Sequence, residues 1–110
     1  MNKTERWQRI NEALQMIRIS NRNGSHLNCI RLNNNCSPAH NDKIIEICKG
    51  YLRDNIPFMT EAIFLNGYRA DVINCFTHEV MEIMNTESDE SILAKQSKYP
   101  EIFTIKKIRI

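Results

Sequence analysis

The sequence predicts an α/β protein in which a helix precedes a three-strand antiparallel meander, and a second helix and an edge strand follow the meander. An extra N-terminal helix precedes this core. Two observations carry the prediction. Apolar residues recur at helical spacing in the early segments, whereas the later segments alternate weakly between apolar and polar residues. Asn66-Gly67, a strong signal for a tight hairpin turn, joins two of the alternating segments.

The two early helices are marked by caps and apolar faces. The first is expected over residues 4–19 with Thr4 as its cap. Its apolar face consists of Trp7, Ile10, Leu14 and Ile17. We interpret Trp7 as a core residue or an interface anchor rather than a platform for base stacking. The second helix is expected from Pro38 to about Arg53, because proline favours the first position of a helix.

The second half of the chain carries the strand signals. We expect strands over residues 57–65, 68–74 and 77–85, with a short turn between the last two. The acid pair at Asp89 and Glu90 suits the N-terminus of a helix, and Pro100 ends that helix. Residues 101–110 form the final strand, which we expect to be antiparallel or at an edge.

Length and composition are those of one soluble domain. The 110 residues are 42% hydrophobic and 25% charged, with residues 1–37 as a helical and irregular arm and residues 38–110 as the core. Because no apolar run reaches roughly 18 residues and the N-terminus is too charged for a signal peptide, we expect a cytoplasmic protein with no membrane partner. Its four cysteines should then be thiols or metal ligands. The abundant Ile and Asn suggest an AT-rich viral or mobile-element origin.

Asp71 and Glu82 are the candidate functional pair. If the turn between their strands centres near residues 75 and 76, Asp71 lies almost opposite Glu82, with Cβ atoms roughly 4.5–5.5 Å apart. Two carboxylates this close repel each other unless a cation lies between them. Magnesium binds one or two carboxylates together with water and phosphate oxygens. The alternative is that both acids simply face solvent.

At these residues the chain resembles the restriction-endonuclease-like, or PD-(D/E)XK, nuclease superfamily, over about residues 39–110. The segment GYRAD, ending at Asp71, is similar to the first half of the family signature. Glu82 and Met84 occupy the acid and lysine positions of its second half. The resemblance implies a restriction-endonuclease-like core that hydrolyses DNA phosphodiester bonds with Mg²⁺ or Mn²⁺ held by Asp71 and Glu82.

The chain departs from the family at Met84, where a lysine is expected. Two interpretations stay open. Lys95 on the following helix takes over the catalytic role, assisted by Gln96, or the protein is a degenerate member that binds nucleic acid or a protein without cutting. The resemblance also makes Glu46, on the helix before the meander, a candidate third metal ligand.

Basic residues on the first helix, beside Asp71 and near the end of the chain are the expected phosphate contacts to DNA. They are Arg6, Arg9, Arg69, Lys98, Lys106 and Lys107. A chain this short has no separate specificity domain, so we also expect it to pair as a homodimer.

One further cluster concerns zinc. His26, Cys29, Cys36 and His40 are residue types that bind Zn²⁺, in a segment irregular enough to wrap an ion. Their spacing is not that of a standard zinc finger, so two half-buried thiols and two loop histidines are the competing interpretation.

Overall fold

The computed structural model describes residues 2–18, 27–84 and 88–110. In these ranges the chain forms three helices and a four-strand mixed sheet of order β1-β2-β3-β4. The elements are α1 (Lys3–Leu14), α2 (Pro38–Arg53), β1 (Phe58–Ile63), β2 (Arg69–Asn74), β3 (Glu79–Met84), α3 (Asp89–Lys98) and β4 (Thr104–Arg109). The predicted α/β class and the predicted order of elements are confirmed.

Helix α1 begins and ends earlier than predicted. Asn2, not Thr4, is the cap: its side chain accepts a hydrogen bond from the Glu5 amide at 2.8 Å, and the Glu5 carboxylate accepts one from the Asn2 amide. The helix ends at Leu14 because the following backbone pairs with the β1–β2 hairpin. The Arg18 amide donates to the Ile63 carbonyl at 2.8 Å, which carries the chain along the sheet edge.

The buried apolar residues on α1 and just after it differ from the predicted set. Ile10, Ala13 and Ile17 are buried, whereas 57% of Trp7 is exposed, so a core role for Trp7 is wrong. Ala13 is fully buried in the core cluster although it was not among the expected positions. Trp7, one turn before Ile10, lies beyond the edge of that cluster.

Helix α2 follows the prediction and covers one face of the sheet. Ser37 caps it by accepting a hydrogen bond from the His40 amide at 3.1 Å, and Pro38 is its first residue. The apolar cluster under α2 contains Ile44, Cys48, Phe58, Val72, Met81 and Ile83.

The opposite face of the sheet packs against α1 and the residues that follow α3. There Phe64 contacts Tyr99 and Phe103, with ring centroids 4.9 and 5.0 Å away.

The strand pairings show one difference from prediction. β1, β2 and β3 form the expected antiparallel meander, and Gly67 in the first turn has φ +93°, which favours glycine. In the second turn the Asn74 side chain accepts hydrogen bonds from the amides of Phe76 and Thr77. β4 is at the sheet edge as expected, but it is parallel to β3, because α3 returns the chain to the end where β3 began.

Two further expectations concern the environment of the chain. The four cysteines are free thiols, as expected for a protein without disulfides. In the described ranges, none of the helices combines the length and apolar character that a membrane span requires.

Candidate active site

The structure brings Asp71 and Glu82 together. β2 pairs with β3 through Val72 and Met81, and one step further along the same register Asp71 lies opposite Glu82. The two carboxyls are within hydrogen-bonding reach of each other. Their surroundings differ: the Glu82 residue is only 3% exposed, whereas the Asp71 side chain is 19% exposed and is the more accessible of the two.

Asp71 lies directly before the first regularly paired residue of β2 in its ladder with β3. That pairing covers Val72–Asn74 of β2 and Glu79–Met81 of β3. Beyond it, the Ile83 amide donates a hydrogen bond to Oδ2 of Asp71 at 2.9 Å. A side-chain carboxylate thus satisfies a strand amide that would otherwise lack an acceptor, and this bond fixes the orientation of Asp71.

Burial and the neighbouring acid change the protonation of Glu82. Burial is the largest cause, and with the adjacent Asp71 it raises the pKa of Glu82 to about 8. The hydrogen bond from Tyr99 and the positive charge of Lys95 lower that pKa, but their effect is smaller. In the absence of a cation, Glu82 therefore holds a proton at neutral pH.

The hydroxyl of Tyr99 links this carboxyl to β2. It donates to the Arg69 carbonyl at 2.8 Å and also lies against Oε1 of Glu82. A hydroxyl has one hydrogen and cannot donate to both oxygens at once. Its hydrogen therefore points either to Oε1 of Glu82 or to the Arg69 carbonyl. The proton on Glu82 faces Asp71, because the hydrogen bond between these two carboxyls raises the pKa of Glu82.

His40, which the sequence suggested as a zinc ligand or a loop histidine, is on α2 and lies beside Asp71. Its Nε2 is 3.5 Å from Oδ2 of Asp71, and its side chain is 14% exposed. Its Nδ1 is buried and has no hydrogen-bond partner within the described residues. No signal in the sequence points to this contact, because it depends on how α2 lies across the sheet.

Glu61 is a second neighbour that sequence reasoning missed. It follows Thr60, which pairs with Val72, so it lies opposite Asp71 in the β1–β2 register. Its φ of +50° is unusual for a non-glycine residue. Burial and then Asp71 raise the pKa of Glu61, while Arg69, whose Nη1 is 3.5 Å from its carboxylate, lowers it. The Asn66-Gly67 turn sets the register of β1 against β2, so this sequence signal could have placed Glu61 opposite Asp71.

The predicted residues on α3 have different surroundings. Lys95 is half-buried, and its positive charge lowers the pKa of Glu82, so it lies near that carboxyl. Both polar atoms of the Gln96 side-chain amide have hydrogen-bond partners within the protein. Its Nε2 donates to the Phe103 carbonyl at 3.0 Å, and its Oε1 accepts from the Ile105 amide at 2.8 Å. These bonds tie α3 to β4 and indicate a structural role for Gln96.

The expected third ligand does not join the pair. Glu46 is exposed and forms an ion pair with Lys43 at 2.9 Å. Within residues 2–18, 27–84 and 88–110, no three His, Cys, Asp or Glu side chains are grouped to hold a metal ion. The set of Asp71, Glu82 and Glu46 is therefore not assembled, because Glu46 faces solvent on α2.

The proposed zinc residues are only partly described. His26 lies outside the described residues. Cys29 is exposed, and His40 contacts Asp71. Burial, Glu61 and Asp71 together raise the pKa of Cys36, which places this thiol near the acids. Three of the four residues therefore offer no metal-binding group in the part of the chain that the structure describes.

Several of the predicted phosphate contacts are engaged within the protein. The Arg6 guanidinium lies 4.4 Å from the Phe76 ring centre, and Arg9 donates to the Phe76 carbonyl at 2.7 Å. Lys107 forms an ion pair with Asp89 at 2.8 Å. The other three predicted contacts, Arg69, Lys98 and Lys106, are exposed.

Geometry and chemistry must carry the functional interpretation. No protein-family model, no curated protein and no solved structure matches this chain.

Proposed function

We propose that this protein is a metal-dependent nuclease with a restriction-endonuclease-like core, and that it hydrolyses DNA phosphodiester bonds at Asp71 and Glu82. The observation that carries the proposal is the meeting of these two carboxyls where β2 and β3 separate. The order of helix, meander, helix and edge strand is consistent with such a core.

The donor set fits magnesium or manganese. Both ions accept carboxylate oxygens, and Mg²⁺ needs only one or two of them when water and phosphate oxygens complete its shell. The pair Asp71 and Glu82 supplies this number. When bound, a divalent ion would polarise the phosphate and lower the pKa of a water molecule. A divalent charge would also take the place of the proton that Glu82 otherwise retains.

The surrounding residues have separate tasks in this proposal. The Ile83 amide and the Tyr99 hydroxyl hold the two carboxyls in place. Lys95 provides the positive charge that the family places where Met84 stands, and Met84 itself is 1% exposed and buried in the core. A lysine beside the acid pair would stabilise the negative charge that develops on the phosphate during hydrolysis.

Arg69 is the best placed phosphate contact. Its side chain is 53% exposed, lies on the strand that carries Asp71, and forms a long ion pair of 3.5 Å with Glu61 among the described residues. An arginine at this distance from the acids would position the DNA backbone next to them. The exposed Lys98 and Lys106 would add non-specific affinity, which should fall as the salt concentration rises.

The test is cleavage of labelled single-stranded, duplex and branched DNA with and without Mg²⁺ or Mn²⁺. Asp71→Asn and Glu82→Gln should reduce cleavage to background, and both preserve side-chain shape. Asparagine also keeps an acceptor for the Ile83 amide. The matched control is Glu101→Gln, an exposed acid that should leave cleavage unchanged. Cleavage that survives both site variants would come from a contaminant or another site and would end the proposal.

A second candidate function is a nuclease-like scaffold that binds nucleic acid or another protein without cutting. Met84 favours it, because the family lysine position is filled by a buried apolar side chain. The two functions predict different results. If DNA is bound with equal affinity by the wild-type protein and by Asp71→Asn, and neither preparation cleaves it in Mg²⁺ or Mn²⁺, the scaffold function is the correct one.

The nuclease proposal includes pairing of two copies. The proposed site uses one pair of acids in each chain, so cutting both strands of a duplex requires either two copies or two successive events. Sedimentation velocity with and without duplex DNA distinguishes these cases, since a dimer doubles the mass from 12.9 kDa.

A further inference from the structure

The first turns of α1 present a tryptophan to solvent. Trp7 is 57% exposed, although it continues the apolar face that buries Ile10. A groove lined by Lys3, Arg6, Trp7 and Ile10 lies here. These residues follow each other at helical spacing, so the groove runs along one side of α1.

The groove is small, and the helix that forms it is attached to the sheet. Two contacts fix α1 to the turn between β2 and β3: Arg9 donates to the Phe76 carbonyl at 2.7 Å, and the His78 ring bonds to the Arg9 carbonyl at 2.8 Å. The groove volume of about 230 Å³ is below the roughly 300–1,000 Å³ of pockets that enclose whole small molecules. It therefore suits one flat group rather than an entire ligand.

Charge in the groove selects an anionic partner. Lys3 and Arg6 are both cationic, and none of the described lining residues is acidic. The nearby acids have other contacts: Glu5 completes the capping box with Asn2, and Glu12 is 3.9 Å from Arg9. A flat aromatic surface in the same groove as two cations matches a base with its adjacent phosphates, whereas an acidic peptide matches only the charge.

We propose that Trp7 stacks on a base of single-stranded nucleic acid while Lys3 and Arg6 contact the adjacent phosphates. Arg6 stacks on Phe76, with 4.4 Å to the ring centre, and a guanidinium stacked on an aromatic ring keeps its in-plane N–H donors for a phosphate. The site requires neither the acid pair nor a divalent cation. It therefore extends the proposed function by adding a preference for unpaired strands, and it can be tested without cleavage.

Trp7 reports on its own environment, because it is the only tryptophan in the chain. We would titrate Asp71→Asn protein with a single-stranded thymidine oligonucleotide in EDTA and follow tryptophan fluorescence. Stacking should quench the fluorescence. An abasic strand of the same length keeps the phosphates but removes the bases, so it should bind more weakly and leave the fluorescence unquenched.

Variants separate stacking from charge, with affinity measured by anisotropy of a labelled strand. Trp7→Ala should weaken binding roughly 5- to 150-fold, the loss associated with one stacked base, and Trp7→Phe should restore part of it. Leu93→Ala removes a side chain that is 69% exposed on α3 and should have no effect. Lys3→Gln should reduce the slope of log affinity against log salt by about 0.7.

Four results would overturn this inference. Equal quenching by the abasic strand would show that no base stacks on Trp7, and unchanged affinity in Trp7→Ala would show that Trp7 contributes nothing. Tighter quenching by a polyglutamate peptide, or a dimer that dissociates in Trp7→Ala, would assign the groove to a protein partner or to a second copy. Because the binding assays need no cleavage, they succeed or fail independently of the nuclease proposal.

Discussion

Replacing Glu82 with glutamine should change how stability depends on pH. The pKa of Glu82 rises from the ordinary 4.5 to about 8 in the folded protein. A carboxyl whose pKa is raised by folding contributes most to stability below its unfolded pKa, and that contribution is lost as the pH rises through its folded pKa. The wild-type protein should therefore become less stable between about pH 4.5 and pH 8 because of this group.

The size of the effect follows from the same two values. The difference between about 8 and 4.5 is roughly 3.5 units, and each unit corresponds to 1.36 kcal/mol, so the loss is on the order of 5 kcal/mol as an upper figure. That is a large share of the roughly 5–15 kcal/mol that stabilises a typical domain. Glutamine has no charge to bury, and its amide oxygen still accepts the hydrogen bond from Tyr99.

Urea denaturation from pH 5 to pH 9, without divalent cations, measures the difference. At pH 5 the two proteins should have similar free energies of unfolding, and above pH 8 Glu82→Gln should be the more stable by several kcal/mol. Added Mg²⁺ should stabilise only the wild-type protein at pH 8. If the two pH profiles run parallel across the whole range, Glu82 is not a buried, protonated carboxyl and the description of the site is wrong.

Three further predictions concern the site and the core. Lys95→Met should slow cleavage about 100-fold or more, because the positive charge of Lys95 acts beside Glu82. DNA affinity should be nearly unchanged. Single-turnover kinetics measures the first effect and anisotropy of labelled DNA the second. Phe64→Ala should cost about 3–5 kcal/mol of unfolding free energy in urea, since Phe64 is fully buried between the rings of Tyr99 and Phe103. Gly67→Ala should cost about 1–2 kcal/mol, because alanine is strained at φ +93°; a melting temperature equal to wild type would refute this.

The acid pair was predictable because a hairpin has few degrees of freedom. A short turn near Cys75 and Phe76 sets the register of β2 and β3, and alternation then decides which side chains share a face. Asn66-Gly67 marked the other hairpin for the same reason. Local rules of this kind act over a few residues and can be read directly from the sequence.

What the sequence did not reveal depends on contacts between distant segments. The end of α1 is set by hydrogen bonds from residues 16–18 to the β1–β2 hairpin, and no helix signal records them. The contact of His40 with Asp71 depends on the direction in which α2 crosses the sheet. Trp7 falls on the apolar stripe by spacing, yet whether a stripe residue is buried depends on how far the neighbouring layer extends.

The bond between the Ile83 amide and Asp71 has a consequence for how this chain would change over generations. An aspartate that joins two strands is preserved by selection for folding alone, whether or not the protein cuts anything. Glu82 is under the opposite pressure, because a buried carboxyl beside another acid weakens the fold and a neutral side chain would relieve it. Under the proposed nuclease function, a lineage that lost cleavage would replace Glu82 early and Asp71 late. A relative that carries the aspartate without the glutamate would then be expected to lack the proposed cleavage.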